Sequence, residues 1–318
     1  MLQKGLESKL NLFNRAGVTI ILLMIRAMIS SKLKRQCFSF YFYLFLFSDN
    51  CVMYRLPKLI AFPHRRPDEY YKDLQERPGW KDLDGEVVMD VGCGSGRYST
   101  INILKYYPKI EKLIAIDNYT PSIYFASTRN TESKIEYRLA DIEDRSTLEK
   151  WEGKISKIFS TNCFTHVDPE KAFRNVHYLL KPGGEAIITF VSKSQYYDIF
   201  LDVILRKEFK EYSAPIATYP RALRQKLDAS DYETFLKKSG LTKIVCEDER
   251  QLFFHENIEC CFMAIRHCNL ASDVPRIRRD EFDQDFSQEF LRRIEPDPDD
   301  GRFYVKFTVV KIIAKKEN

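Results

Sequence analysis

Val87-Val88-Met89-Asp90-Val91-Gly92-Cys93-Gly94-Ser95-Gly96 is a strand-forming run that empties into three glycines at alternate positions. Four apolar residues, interrupted only by Asp90, predict a strand covered on both faces, as in a parallel α/β sheet. Each of Gly92, Gly94 and Gly96 lacks a Cβ, so the backbone there can turn sharply and a ligand can approach it. A dinucleotide fingerprint would read G-x-G-x-x-G. Here the spacing is G-x-G-x-G, with an acid two residues before the first glycine.

Working outward, Lys112-Leu113-Ile114-Ala115-Ile116-Asp117 reads as the second strand, and its last residue lies twenty-one positions past Gly96. A carboxylate there can accept both hydroxyls of a ribose and disfavours a phosphorylated one. Asn118 follows it. Ile135 to Leu139 reads as a third strand, leading to Ala140-Asp141-Ile142, and Ile155 to Thr161 as a fourth, leading to Asn162-Cys163-Phe164-Thr165-His166-Val167. Asp is common after strands for turn reasons alone. Three such acids in register with a glycine loop favour a nucleoside cofactor over that plainer explanation.

Asp168-Pro169-Glu170 opens a helix, with Asp as N-cap and Pro at the first helical position. Ala172, Phe173, Val176, Leu179 and Leu180 give that helix its apolar stripe, and Lys181-Pro182-Gly183-Gly184 stops it, with glycine expected in a left-handed C-cap. Glu185 to Val191 is a fifth strand. Ser230-Asp231-Tyr232-Glu233 predicts a capping box for a helix that ends at Gly240. Leu241–Phe254 and Arg302–Lys315 predict two further strands, with helices at about 256–268 and 278–294 between them.

From Glu86 to Val191 these motifs together resemble the class I methyltransferases that use S-adenosylmethionine (SAM). The resemblance implies an α/β fold, a doubly wound Rossmann-like seven-stranded sheet with an antiparallel final strand. It also implies helical lid insertions near 192–228 and 256–300. It further implies a cofactor set of Asp90, Gly92, Cys93, Gly94, Gly96, Asp117, Asn118, Asp141, Ile142 and Asn162, with Asp141 on the adenine amino group and Ile142 packed on the ring. Past the shared core, the strand and helix order after Gly240 and the end Phe253-Phe254-His255-Glu256 resemble the arthropod juvenile hormone acid methyltransferases. That likeness implies methylation of a carboxylic acid. The chain departs from the family at His166, where a Cys-Leu-His-Trp-Val run would place Trp, and its N-terminal segment has no counterpart.

A carboxylate acceptor is ionised at neutral pH and needs no base, whereas a hydroxyl or amine would call on His166 as the candidate catalytic group. A loop histidine that only covers the pocket is the plainer alternative. Tyr196, Tyr197, Phe200, Phe209, Tyr212 and Tyr219 are candidates for an apolar acceptor pocket, with Arg206 or Arg221 for a carboxylate; equally, they only pack the lid. Two other classes stay in view: a SAM-binding relative without catalysis, and a NAD-dependent oxidoreductase. The glycine spacing and the missing Tyr-x-x-x-Lys pair disfavour the latter.

Composition bounds the rest. Residues 1–66 hold eleven Lys/Arg and two Asp/Glu, a net of +9, while the whole chain carries +5. The remainder is therefore −4, which disfavours nucleic acid as substrate. Residues 1–60 are expected to stand outside the fold, leaving about 255 residues (61–318) for one catalytic domain. Cys37–Ser48 looks like a translated pyrimidine tract. Gly17–Ile25 and Cys37–Phe47 are too short to span a bilayer, although 17–47 suits weak contact with a membrane surface. Eight scattered cysteines predict a reducing, cytoplasmic setting without disulfides. Cys260, Cys261, Cys268, His255 and His267 lack a C-x-x-C pair, so no metal is expected.

Overall fold

The computed structural model describes residues 67–213, 220–258, 260–261 and 274–318. The expectation for residues 1–60 falls outside them, as do most of the predicted 256–268 helix and Tyr219. Seven strands form one sheet: β1 Val87–Val91, β2 Lys112–Asp117, β3 Ile135–Leu139, β4 Ile155–Thr161, β5 Leu180–Ser194, β6 Leu241–His255 and β7 Phe303–Lys316. Their spatial order is β3-β2-β1-β4-β5-β7-β6. β1 to β5 pair in parallel, and β7 runs antiparallel to both β5 and β6. This is the expected doubly wound sheet with an antiparallel final strand.

Eight helices accompany it among the described residues: α1 Pro67–Gln75, α2 Ser99–Tyr106, α3 Thr120–Arg129, α4 Pro169–Leu179, α5 Gln195–Ile204, α6 Arg221–Gln225, α7 Ala229–Ser239 and α8 Arg279–Arg293. The period of two in the strands sorts side chains between the two faces. Val88, Leu113, Phe159, Ile187 and Ile313 pack with Tyr71 and Leu74 of α1, Trp80, and Ile103 of α2. Met89, Val91, Ile114, Ile158, Ile188 and Ile312 pack with Phe173 and Val176 of α4 and Leu236 of α7. The strand order reverses between β1 and β4, so the carboxyl ends of these strands open a crevice of the kind where doubly wound folds bind ligands.

Two stop and start signals work differently from expectation. Helix α4 ends at Leu180 in an extended conformation, and Leu180 already pairs with Ile155. Gly183 is left-handed (φ 73°), but it bends the incoming strand rather than capping the helix. The capping box of α7 is formed by Asp228 and Asp231, two residues before the expected Ser230; Gly240 (φ 82°) closes that helix as anticipated. Among the described residues, no helix is long and apolar enough to cross a membrane.

Candidate functional site

The three glycines of the β1 turn are all left-handed, yet each meets a different environment. A Cβ on Gly92 would fall into the Cys163 side chain, 2.7 Å from Sγ, and one on Gly96 would lie 2.5 Å from the Tyr137 hydroxyl. A Cβ on Gly94 would meet nothing within 4 Å. Gly92 and Gly96 are thus required by packing inside the protein, and Gly94 is where the loop opens to a ligand. The loop is also tied down from β2. The amides of Gly92 and Cys93 both donate to the Ile116 carbonyl at 2.9 Å, and that of Gly94 donates to Asp117 Oδ2 at 2.9 Å.

Asp90 lies beneath this loop and is fully buried. It points to the α2 face, where Ser99 Oγ and Thr100 Oγ1 each donate to its Oδ2 at 2.6 Å. Its Oδ1 has no hydrogen-bond partner. Burial pushes its pKa up to about 6; the two hydroxyl bonds oppose the rise and Asp117 adds to it. None of the groups acting on it is a cation, so at neutral pH it is an uncompensated buried anion under the loop.

Asp117 and Asp141 end β2 and follow β3 as expected. Asp117 accepts from the amides of Gly94 and Tyr119, the latter at 2.9 Å on Oδ1, which leaves half of its acceptor positions available. Burial raises its pKa, the two amide bonds restrain the rise, and Asp141 adds to it while His166 opposes it. Asp141 is held from both sides, by Asn118 Nδ2 on Oδ2 at 3.1 Å and by the Glu143 amide on Oδ1 at 2.9 Å. Asn162 takes a left-handed conformation (φ 63°) that turns the chain out of β4 into the Cys163–Thr165 turn. His166 ends that turn with an exposed edge, its amide donating to the Cys163 carbonyl at 3.0 Å. Protein massed behind the ring lowers its pKa, with Asp117 pulling the other way. The imidazole is neutral at pH 7.

Several sequence-based assignments need correction. The Cys93 side chain turns inward and packs with Ala115, Ala126 and Tyr137, so only its backbone lines the crevice. Ile142 is 3% exposed and already part of the core, leaving little surface for a purine ring. Of the two alternatives for Tyr196, Tyr197, Phe200 and Phe209, the structure favours packing. They are buried in an aromatic cluster with Phe282, Phe286 and Phe290 of α8, and the partly buried Tyr212 packs against it. Both candidate arginines already have acid partners: Arg206 pairs with Asp285 and Glu289, and Arg221 with Asp168. Ser99, Thr100, Tyr137 and Glu143 were missed. The hydroxyl pair opening the helix after a glycine loop was the one visible signal, since period two already places Asp90 on the same face as Val88.

A cavity of about 130 Å³ between α1 and the antiparallel end of the sheet is lined by Tyr70, Asp73, Leu74, Arg77, Ile187, Glu249 and Lys311. None of the crevice residues is among them.

The crevice brings together one acid with acceptor positions to spare, a second oriented acid beyond it, an open glycine and a buried carboxylate below. Residues 89–188 match the family model described as a methyltransferase domain. With the methyltransferases among its relatives, that match makes the protein an enzyme that transfers methyl groups from S-adenosylmethionine.

Among named proteins, the chain is similar to the juvenile hormone acid O-methyltransferase of Bombyx mori. The two are 21% identical over 211 residues, covering 65% of this chain and 74% of that one. It is 27% identical over 169 residues to the arsenite methyltransferase of Aquipseudomonas alcaligenes, spanning 50% of this chain but only 45% of the relative. The crystal structure of the YcgJ protein from Bacillus subtilis shares the fold. Its TM-score is 0.52 at 15% identity, covering 79% of this chain and 98% of that one.

Proposed function

We propose that the crevice seats S-adenosylmethionine with Asp117 on the ribose hydroxyls, Asp141 on the adenine amino group and the open face of Gly94 against the amino-acid portion. The observation that carries this reading is the unpaired, fully buried Oδ1 of Asp90, which has no cation acting on it. A ligand with a sulfonium and an ammonium relieves that anion, whereas the pyrophosphate of a dinucleotide over the same loop would be repelled by Asp90. When bound, the cofactor supplies a methyl group on positively charged sulfur, which leaves as a neutral thioether. The protein's part is to orient the acceptor in line with that methyl and to exclude water.

For the acceptor we propose a small apolar carboxylic acid methylated on oxygen, as in the juvenile hormone acid methyltransferase family. The support is the Bombyx mori relative, whose match covers 65% of this chain. A second reading is favoured by a specific observation. His166 is neutral at pH 7 and edges the crevice, while the lid arginines are already paired with acids. In that reading His166 takes a proton from a hydroxyl or amine.

Two experiments test these readings. Calorimetry with S-adenosylmethionine should show Asp117→Ala losing about 2–4 kcal/mol of binding, the worth of a charged bidentate acceptor. Affinity equal to the parent's removes the assignment. A screen with labelled cofactor over fatty and isoprenoid acids, alcohols and amines identifies the acceptor. On it, His166→Ala should keep most of kcat, with a flat rate above about pH 6.5, if the nucleophile is a carboxylate. A loss of about 10²–10⁴, with activity falling on the acid side, promotes His166 to general base.

A further inference from the structure

The N-terminus of α4 carries more negative charge than it needs. Asp168 Oδ1 caps the helix, accepting from the amides of Glu170 at 3.0 Å and Lys171 at 3.4 Å. A second carboxylate, that of Glu143, comes to the same place and accepts from the Asp168 amide at 3.1 Å. One helix end stabilises nearby anions only modestly, and two adjacent carboxylates repel. The charge that makes the arrangement tenable comes from the lid: Arg221, the first residue of α6, pairs with Asp168 Oδ2 at 2.8 Å.

From Glu143 the path continues to the crevice. The Glu143 amide donates to Asp141 Oδ1 at 2.9 Å, so three polar contacts join the lid arginine to Asp141. The neighbouring loop is braced by the same helix: Asn175 Nδ2 donates to the Ile142 carbonyl at 2.7 Å, and its Oδ1 accepts from Arg145 Nε at 3.2 Å. Asn175 is 4% exposed, so this brace is fixed in the interior. The Glu143 contact to Asp168 joins this loop to the residue that Arg221 pairs with.

We propose that Arg221 is a positioning residue for the purine end of the cofactor, acting through Asp168 and Glu143 to orient the Asp141 carboxylate. Without the guanidinium, Glu143 and Asp168 face each other uncompensated, Glu143 swings away from the α4 terminus, and its amide carries Asp141 out of line. The lid and the adenine end are then parts of one constellation, although Arg221 itself touches no cofactor. This rests on the reading above that Asp141 accepts from the adenine amino group.

The test compares two ligands by calorimetry: S-adenosylhomocysteine and S-inosylhomocysteine, in which an oxygen replaces the 6-amino group. The parent should prefer the amino purine by about tenfold or more, since a site built for a donor rejects an acceptor. Arg221→Gln should shrink that preference by about threefold or more, Arg221→Lys should keep most of it, and Glu143→Ala should shrink it alike. The double variant should lose no more than either single one, because both cut the same path. A change that merely loosens the fold weakens both ligands by one factor and leaves the ratio intact. An unchanged ratio in both Arg221→Gln and Glu143→Ala overturns the proposal. A parent that binds S-adenosylhomocysteine without preferring it to the inosine form overturns the Asp141 assignment itself, and this proposal with it.

Discussion

Alanine at Gly94 would meet only open space, whereas alanine at Gly96 would strike the Tyr137 hydroxyl at 2.5 Å. Both residues sit at positive φ, 54° and 72°, so each substitution carries a backbone strain of about 1–2 kcal/mol. Gly96→Ala adds a collision that shifts Tyr137, itself bonded to Asn130 Nδ2 at 3.1 Å. We predict that Gly94→Ala lowers unfolding free energy by about 1 kcal/mol and impairs cofactor binding disproportionately, and that Gly96→Ala loses about 2–4 kcal/mol of stability. Urea denaturation alongside calorimetry separates the two; equal stability losses would show that the glycines share one role after all. The alternating glycines were legible in the sequence, but their division of labour was not, because it depends on Cys163 and Tyr137 arriving from distant strands. The positions of Asp117 at the end of β2 and of Asp141 just after β3 were legible because strand ends fix their register. Cys93 and Ile142 were misjudged for the converse reason: in a turn no period of two says which way a side chain faces.

Helices α5 and α8 show the same limit among whole elements. The strands announced themselves as short apolar runs, and α8 as an amphipathic helix: Phe282, Phe286 and Phe290 are buried and Leu291 is exposed. What those aromatics face could not be read, since an apolar stripe looks alike whether it meets a ligand or another helix. In the structure α5 and α8 close on each other through this cluster. Beside it, Glu289, its side chain 8% exposed, binds Arg206 of the α5–α6 segment and Arg292 and Arg293 of its own helix. Arg292 above all holds the Glu289 pKa down to about 2, with Arg293 assisting and burial opposing. Phe286→Ala should therefore cost about 3–5 kcal/mol, and Glu289→Ala about 1–3 kcal/mol, since its arginine partners keep access to water. Hydrogen exchange should rise first in 195–212 and 279–293. A cost below about 1 kcal/mol for Phe286→Ala would mean that α5 and α8 are loosely associated rather than a packed layer.

Across the whole molecule, two buried groups on separate clusters bias stability in opposite directions over one pH range. His255, 3% exposed and bonded to Tyr196, is pushed by burial down to about 4; Asp90, fully buried, is pushed up to about 6. For His255 the folded pKa lies below the unfolded value. Between about pH 6.5 and 4 the unfolded chain therefore binds a proton that the folded chain does not, and stability falls on acidification, by roughly 2 kcal/mol from pH 7.5 to 5. For Asp90 the folded pKa lies above the unfolded one. The folded chain then binds the extra proton, and over the same interval stability rises by roughly 1 kcal/mol or slightly more. The two nearly offset each other. In ligand-free protein, Asp90→Asn should be more stable than the parent at pH 7.5 and should lose stability more steeply toward pH 5. His255→Phe should show the reverse slope relative to the parent, gaining stability on acidification. The difference in slope reports His255 in one variant, and Asp90 together with its coupling to Asp117 in the other. Urea denaturation at pH 5, 6, 6.5 and 7.5 measures it. A pH slope in Asp90→Asn equal to the parent's would show that Asp90 is not an ionised buried carboxylate. The cationic-ligand argument for the crevice would fall with it.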